Sequence, residues 1–193
     1  MHDFGILEWF IGLLGLIVFL VILWIRKHSV WYLLTFSVFW LYLLMLVDVL
    51  IFPLPLGSDL QVLPGQQTWQ MVLRQVNPIP FEYLIQADGS TGAILNELLS
   101  NILLAMPLGF GLNFVTRVKP SNFVWQALLI GLFFEAAQLG VSLFLGVAYR
   151  TVDVTDVILN TAGILLGYST FRLFAWLYRR GLGAYIAEVV GRS

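Results

Sequence analysis

The chain has 193 residues, of which 60% are hydrophobic and 11% are charged, and its mean hydropathy is +0.89. Soluble domains use about 45 to 50% apolar and about 25% charged residues, so this composition excludes a soluble globular domain and predicts an integral membrane protein. The lack of cysteine excludes disulfides, thiolate catalysis and soft metal sites. The net charge of -1 indicates no class of partner by itself, and we expect no nucleic-acid partner.

Two apolar segments, residues 4–25 and 30–52, open the chain. Each has about the 20 residues that a helix needs to cross the hydrocarbon core of a bilayer. Asp3 and Glu8 stand where a cleaved signal peptide would carry a basic leader. We therefore expect the first segment to remain as a transmembrane helix.

The next stretch, residues 53–91, is too polar and too rich in proline to cross the membrane. Within it, apolar residues recur at helical spacing from Gln66 to Asn77, which predicts an amphipathic helix lying at the membrane interface. Asn77-Pro-Ile-Pro-Phe81 follows and predicts an extended segment, because a residue before proline avoids helical angles. We therefore expect a partly helical interfacial loop.

Three further apolar segments follow, at residues 94–115, 123–145 and 154–178. Pro107 lies inside the first of these and predicts a kink that leaves a backbone carbonyl free to bond elsewhere. The sequence thus predicts an all-α integral membrane protein. It would be a single domain over residues 1–193, with five transmembrane helices and the interfacial loop between helices 2 and 3.

The distribution of arginine and lysine predicts the orientation in the membrane. With five spans, eight of these residues lie on or near one side, and only Arg74 and Arg150 lie on the other. Basic residues favour the cytoplasmic side. We therefore expect a multi-pass protein whose N-terminus and interfacial loop are outside the cell and whose C-terminus is cytoplasmic.

Polar residues fall on one face of the last span. At about 100° per residue, Asp153, Asp156 and Asn160 share a stripe about 80° wide with Gly163 and Gly167. A carboxylate near the bilayer centre costs about 2.5 to 3.5 kcal/mol, so this face must meet protein or water. The glycines allow a neighbouring helix backbone to approach closely.

Polar residues on two other spans reach the same depth in the predicted topology. The third span begins with Glu97 and Asn101, and the fourth carries Glu135 and Gln138 in its second half. With Arg150 just above them, these side chains predict a polar pocket in the outer half of the membrane, roofed by the interfacial loop. The predicted ligand-binding residues are Asn77, Glu97, Asn101, Glu135, Gln138, Arg150, Asp153, Asp156 and Asn160.

Four carboxylates beside one or two arginines cannot all stay ionised in a site of low dielectric constant. Either Arg150 pairs with one of them, a metal ion binds, or one or more carboxylates keep a proton. Oxygen ligands would suit Mg²⁺ or Ca²⁺, with Glu135, Asp153 and Asp156 as the candidate metal ligands. A purely structural role, joining helices by hydrogen bonds, is the remaining alternative.

Four segments in order carry a resemblance to a known family. They are Asn77-Pro-Ile-Pro-Phe81, Asn101 with Pro107-Leu-Gly109, Glu135-Ala-Ala-Gln138, and Arg150-x-x-Asp153-x-x-Asp156-x-x-x-Asn160-x-x-Gly163. Their succession resembles the VanZ-like family of bacterial membrane proteins, over roughly residues 30 to 175. The resemblance implies a bacterial plasma-membrane protein associated with reduced susceptibility to glycopeptide antibiotics, teicoplanin especially. It brings no established reaction.

Three classes of function stay open. The first is the binding or handling of an envelope lipid or a lipid-linked cell-wall precursor, whose polar head enters the pocket. The second is a membrane-embedded enzyme acting on a lipid-linked phosphate or glycan through carboxylates or a bound metal, although no nucleophile is recognisable. The third is a structural or interaction protein. A transporter is disfavoured, because the polar residues do not continue into the cytoplasmic half.

Overall fold

The computed structural model describes residues 3–51, 69–82, 91–115, 119–146 and 150–190. These residues form a helical bundle, and five of its helices are long and apolar enough to cross a membrane. In chain order the helices are α1 (Asp3–Ile25), α2 (Val30–Ile51), the short α3 (Trp69–Leu73), α4 (Thr91–Val115), α5 (Pro120–Leu145) and α6 (Val154–Val190). The prediction of an all-α membrane protein with five transmembrane helices is confirmed.

The last helix is longer than the predicted span. α6 runs for 37 residues and passes Tyr178, where the span was expected to end. Arginine is a good helix former, so Arg179 and Arg180 continue the helix rather than ending it. Residues Val154–Gly181 of α6 are long and apolar enough to cross a membrane.

Close packing between α4 and α6 forms the centre of the bundle. A Cβ atom at Gly109 of α4 would overlap the carbonyl oxygen of Ile164 on α6, and one at Gly167 of α6 would overlap that of Met106 on α4. Gly163 meets another α4 carbonyl in the same way. Small residues let helix backbones approach closely in a membrane. The close approach predicted from Gly163 and Gly167 is therefore confirmed.

α5 completes this core by burying one face. The polar members of that face are Glu135, Gln138 and Ser142, and Gly131 lies on it one turn before Glu135. A Cβ atom at Gly131 would lie 2.8 Å from the Thr161 hydroxyl oxygen on α6. The polar face of α5 is therefore turned away from lipid and towards the other helices, as its charge requires.

α1 lies at the edge of the bundle and packs mainly on α2. The Trp40 Nε1–H group on α2 donates a hydrogen bond to the Gly12 carbonyl over 2.9 Å, and the Phe19 ring lies 5.1 Å from the Trp40 ring. Many apolar side chains of α1 are exposed in the chain alone, which fits a helix that faces lipid.

α2 is tied to α4 next to the proline. Pro107 lies inside α4, which remains helical on both sides of it. Proline has no N–H and leaves the carbonyl four residues earlier without its helical donor. The Tyr42 hydroxyl on α2 donates to the neighbouring carbonyl, that of Leu104, over 2.7 Å. The kink expected at Pro107 stays a prediction.

The interfacial loop is described in part, since residues 52–68 and 83–90 lie outside the described residues. Of the helix predicted from Gln66 to Asn77, residues 66–68 lie outside the described residues, and α3 covers Trp69–Leu73. The chain turns at Arg74 and Gln75, and Asn77 leaves the helical direction to pair with the start of α6. Val72 is buried and α3 packs against α5, so this part of the loop covers one end of the bundle.

Candidate functional site

The loop is joined to the start of α6 at Asn77. Its backbone N–H donates to the Val152 carbonyl over 2.8 Å, and its own carbonyl accepts from the Val154 N–H over 3.0 Å. These two bonds make a parallel bridge opposite Asp153. The Asn77 side chain adds a third bond, from Nδ2 to Asp153 Oδ2, over 2.8 Å. The extended conformation predicted for this segment is thus present at Asn77.

Beyond Asn77 the chain turns instead of staying extended. We call residues 77–81 the strap. The Ile79 N–H donates to Asn77 Oδ1 over 3.0 Å, and the Phe81 N–H donates to the Thr155 hydroxyl oxygen over 2.9 Å. Phe81 has a φ of 58°, which is uncommon for a bulky residue and costs about 1 to 3 kcal/mol. The bond to Thr155 is one of the contacts that hold this conformation.

Asp153 caps the N-terminus of α6. Its Oδ1 accepts from the Thr155 N–H over 2.6 Å, one of the N–H groups that a helix cannot satisfy internally. The carboxylate also lies at the positive end of the helix dipole. Because Oδ2 is held by Asn77, each oxygen of this acid has a partner in the protein. Asp153 therefore fixes the junction between the strap and α6.

Three carboxylates, those of Glu135, Asp153 and Asp156, lie close enough to act on one another electrostatically. Glu135 is 4% exposed, and its Oε2 accepts from the Asp153 N–H over 3.3 Å. The two aspartates repel the Glu135 carboxylate, and Arg150 attracts it. Asp156 Oδ1 accepts from Asn101 Nδ2 over 2.5 Å, which links α6 to α4. Side chains from α4, α5 and α6 therefore meet at this end of the bundle.

Two further polar residues lie near these carboxylates, one buried on α6 and one exposed on α4. Asn160, one turn after Asp156 on α6, is 2% exposed, and within the described part of the chain its Oδ1 has no hydrogen-bond partner. Glu97 on α4 acts electrostatically on Asp156 but is itself exposed. The group of polar side chains thus runs from a buried amide to an acid at the surface of α4.

Gln138 and Arg150 bind the C-terminal turn of α2. Gln138 Nε2 donates to the Leu50 carbonyl over 3.2 Å, and Arg150 Nη2 donates to the Val49 carbonyl over 2.9 Å. The last carbonyls of a helix lack internal donors and carry partial negative charge, so an amide and a guanidinium suit them. These two residues join α2 to the rest of the site.

All nine residues predicted to bind a ligand therefore lie on the described elements at one end of the bundle, which we call the polar end. We call these nine the polar cluster: Asn77, Glu97, Asn101, Glu135, Gln138, Arg150, Asp153, Asp156 and Asn160.

The candidate metal ligands do not form a metal site. Among the described residues, no three histidine, cysteine or acidic side chains are grouped so that they could hold a metal ion. Glu135, Asp153 and Asp156 are near one another, but the Asp153 oxygens are bound to Asn77 and the Thr155 N–H. The carboxylates present therefore do not fit Mg²⁺ or Ca²⁺.

Some residues of the site were not anticipated from the sequence. Thr155 is fully buried, and its hydroxyl oxygen accepts a hydrogen bond from Phe81 of the strap. In the sequence it resembles any other residue of the span. Its position two residues after Asp153 is a spacing typical of a helix cap, and this was the available signal. The carbonyls of Val49 and Leu50 carry no sequence signal at all, because every residue has one.

The whole arrangement lies in a region that matches a protein family. Residues 39–175 match the VanZ/LLP1 family. The chain belongs to the VanZ/LLP1 family. The VanZ/LLP1 match runs from α2 into α6 and contains every residue of the polar cluster, while α1 lies before it. Membership of the VanZ/LLP1 family links this multi-pass membrane protein to teicoplanin resistance in general. No curated protein and no solved structure matches the chain.

Proposed function

We propose that the chain binds the polar head of an envelope lipid or a lipid-linked cell-wall component at the polar cluster. The hydrocarbon part of this ligand would stay in the membrane beside the helices. Binding of this kind would connect the cluster to the reduced teicoplanin susceptibility associated with the family. The polar end would face the outside of the cell, as the asymmetry of arginine and lysine predicts.

The observation that carries this proposal is the combination of mutually repelling acids with an unsatisfied buried amide. Asp156 and Asp153 act on Glu135, and Asn160 Oδ1 has no partner in the described part of the chain. Burying such acceptors costs free energy unless a donor reaches them. The cluster is therefore rich in acceptors, and the hydroxyl or amino groups of a sugar or amino-sugar head could supply the missing donors.

The surface position of Glu97 supports an approach from the membrane. Glu97 is exposed on α4 and acts on Asp156, which is bonded to Asn101. A head group reaching the cluster past Glu97 would not have to cross the strap. Arg150 places one positive charge beside the acids and would favour a head that also carries a phosphate or carboxylate.

One observation favours a second candidate, a structural role. Asn77 bonds Asp153, Asn101 bonds Asp156, and Gln138 bonds a carbonyl of α2, so much of the cluster joins elements of the protein. If this were its whole purpose, isosteric amides in place of the acids would leave function intact. An enzyme that uses the carboxylates as acid and base is a further alternative, and it needs no bound metal.

Identification of the lipid that copurifies with the protein tests the proposal. We would express the full chain in a bacterium with a peptidoglycan wall, extract it in mild detergent, and identify retained lipids by mass spectrometry. We expect a lipid-linked envelope component in the wild type and its loss in Asp156→Asn. The matched control is Glu188→Gln, which removes an acid near the end of α6, outside the family match. Equal retention by all three proteins would reject binding at the polar cluster.

A further inference from the structure

A groove between α2 and α4 forms a separate feature of the bundle. Its volume is about 410 Å³, which lies in the range of ligand sites in proteins. Its walls are almost entirely apolar, and half of its lining residues are aromatic. The lining consists of Trp31, Leu34, Thr35, Val38, Phe39, Tyr42, Pro107, Phe110, Gly111 and Phe114. Apart from Tyr42, just past the middle of α2, these residues come from the first half of α2 and the second half of α4, so the groove lies away from the polar end.

The shape of the groove depends on a small residue and a tied tyrosine. A Cβ atom at Gly111 would overlap the ring of Phe39, so the glycine allows this ring to lie across α4. The Tyr42 hydroxyl donates to the Leu104 carbonyl over 2.7 Å and holds the two helices together where the groove ends. A space with apolar, largely aromatic walls suits a flexible hydrocarbon chain.

The other end of the groove points towards basic residues. Trp31 lies in the first turn of α2 and is 80% exposed, which fits an aromatic anchor at the membrane interface. Arg26 and Lys27 lie in the turn between α1 and α2, and Lys119 directly precedes α5, close in the chain to the end of α4. The end of the groove near Trp31 therefore lies at the end of the bundle that carries these basic residues.

We propose that this groove binds one acyl chain of an anionic phospholipid, whose head group lies against Lys27 and Lys119. Attraction between basic residues near a membrane surface and anionic lipids supplies the charge complementarity, and the apolar groove supplies the contact with the chain. The site lies at the opposite end of the helices from the polar cluster. It goes beyond the proposed function and does not rest on it.

Native mass spectrometry of the purified full-length protein tests this site. The protein in detergent would be offered equal amounts of phosphatidylglycerol and phosphatidylcholine, and the lipid retained per chain would be measured. We expect one phosphatidylglycerol to be retained in preference to phosphatidylcholine. Val38→Trp and Leu34→Trp, which fill the groove at two exposed positions, should each lower this retention about tenfold.

The matched control is Leu129→Trp, which adds the same bulk to an exposed position of α5 outside the groove. It should retain phosphatidylglycerol like the wild type. The double variant Lys27→Gln with Lys119→Gln should bind the two lipids without preference, because the head-group charge is no longer matched.

Two results would overturn the proposal. One is equal retention by the groove-filling variants and Leu129→Trp, and the other is a wild type without preference for the anionic lipid. The two proposals have separate readouts, the preference for phosphatidylglycerol here and the copurified lipid-linked component at the polar cluster, so failure here can be told apart from failure of the proposed function.

Discussion

Asn77 and Asp153 are joined twice, by a parallel backbone bridge and by a side-chain hydrogen bond of 2.8 Å. Asp153 in turn caps α6 through the Thr155 N–H and donates its own N–H to Glu135. The interfacial loop, the start of α6 and the buried acid of α5 are therefore one connected unit. A substitution at Asn77 should therefore disturb the hydrogen bonds of Asp153 and Glu135.

The first prediction concerns this unit. Asn77→Asp keeps the shape of the side chain and its acceptor for the Ile79 N–H, but replaces the donor to Asp153 by a second acid. Loss of a hydrogen bond to a charged group costs about 1.5 to 3 kcal/mol, and repulsion adds to this. We expect a lower midpoint of thermal unfolding in detergent at pH 7. Asn122→Asp, at an exposed amide in the first turn of α5, is the control and should change little.

The second prediction concerns the contact between α4 and α6. Gly167→Ala would place a Cβ atom against the Met106 carbonyl, where no flexible side chain can move aside. Overpacking of this kind costs about 1 to 3 kcal/mol, so we expect a clear loss of thermal stability measured by circular dichroism. In Gly140→Ala the added atom meets nothing within 4 Å. This control should unfold at the wild-type temperature or slightly above it, because alanine favours a helix over glycine.

The helices could be predicted from the sequence because a segment inside lipid must form its backbone hydrogen bonds internally. Long apolar segments must be helical in lipid, and acids on those segments must turn inward. This reasoning placed Glu135, Asp156 and Asn160 on the faces that the fold brings to the centre. The prediction that Gly163 and Gly167 mark a close helix contact succeeded for the same reason.

The partners of these side chains could not be predicted in the same way. Periodicity gives the face of a helix but not which atom lies opposite, so the bonds of Gln138 and Arg150 to α2 carbonyls had no signal. The turn within the strap was not predicted, because a tertiary hydrogen bond overrides the local preference for an extended chain. Phe81 adopts a left-handed conformation while donating its N–H to Thr155, and proline spacing alone predicted an extended chain there.

The third prediction separates structural members of the cluster from binding members. Gln138→Met keeps the volume of a buried side chain but removes the donor to the Leu50 carbonyl. We expect stability to fall by about 1 kcal/mol, since a typical hydrogen bond contributes that much. Lipid retention should remain at the wild-type level when folded protein is compared. If retention is lost in Gln138→Met while stability is unchanged, Gln138 contacts the ligand directly.

The fourth prediction concerns the orientation in the membrane. Because the chain contains no cysteine, single cysteines can be introduced at His28, Ile79 and Ser121 without other changes. The strap and the polar end should be outside, so Ile79→Cys should react with a membrane-impermeant maleimide in intact cells. His28→Cys and Ser121→Cys should react only after lysis. The reverse pattern would place the polar cluster on the cytoplasmic side.

The central claim is that the acids of the polar cluster act on a ligand and are not there only to join helices. Asp156→Asn and Glu135→Gln keep the size of each side chain and remove one charge. The decisive measurement is teicoplanin susceptibility in a susceptible Gram-positive host that expresses each variant, with membrane amounts equalised and Glu188→Gln, outside the family match, as the control. We predict that both variants lose the protection given by the wild type, while Glu188→Gln keeps it. Wild-type protection from Asp156→Asn and Glu135→Gln at equal amounts would contradict the account and leave the cluster with a structural role.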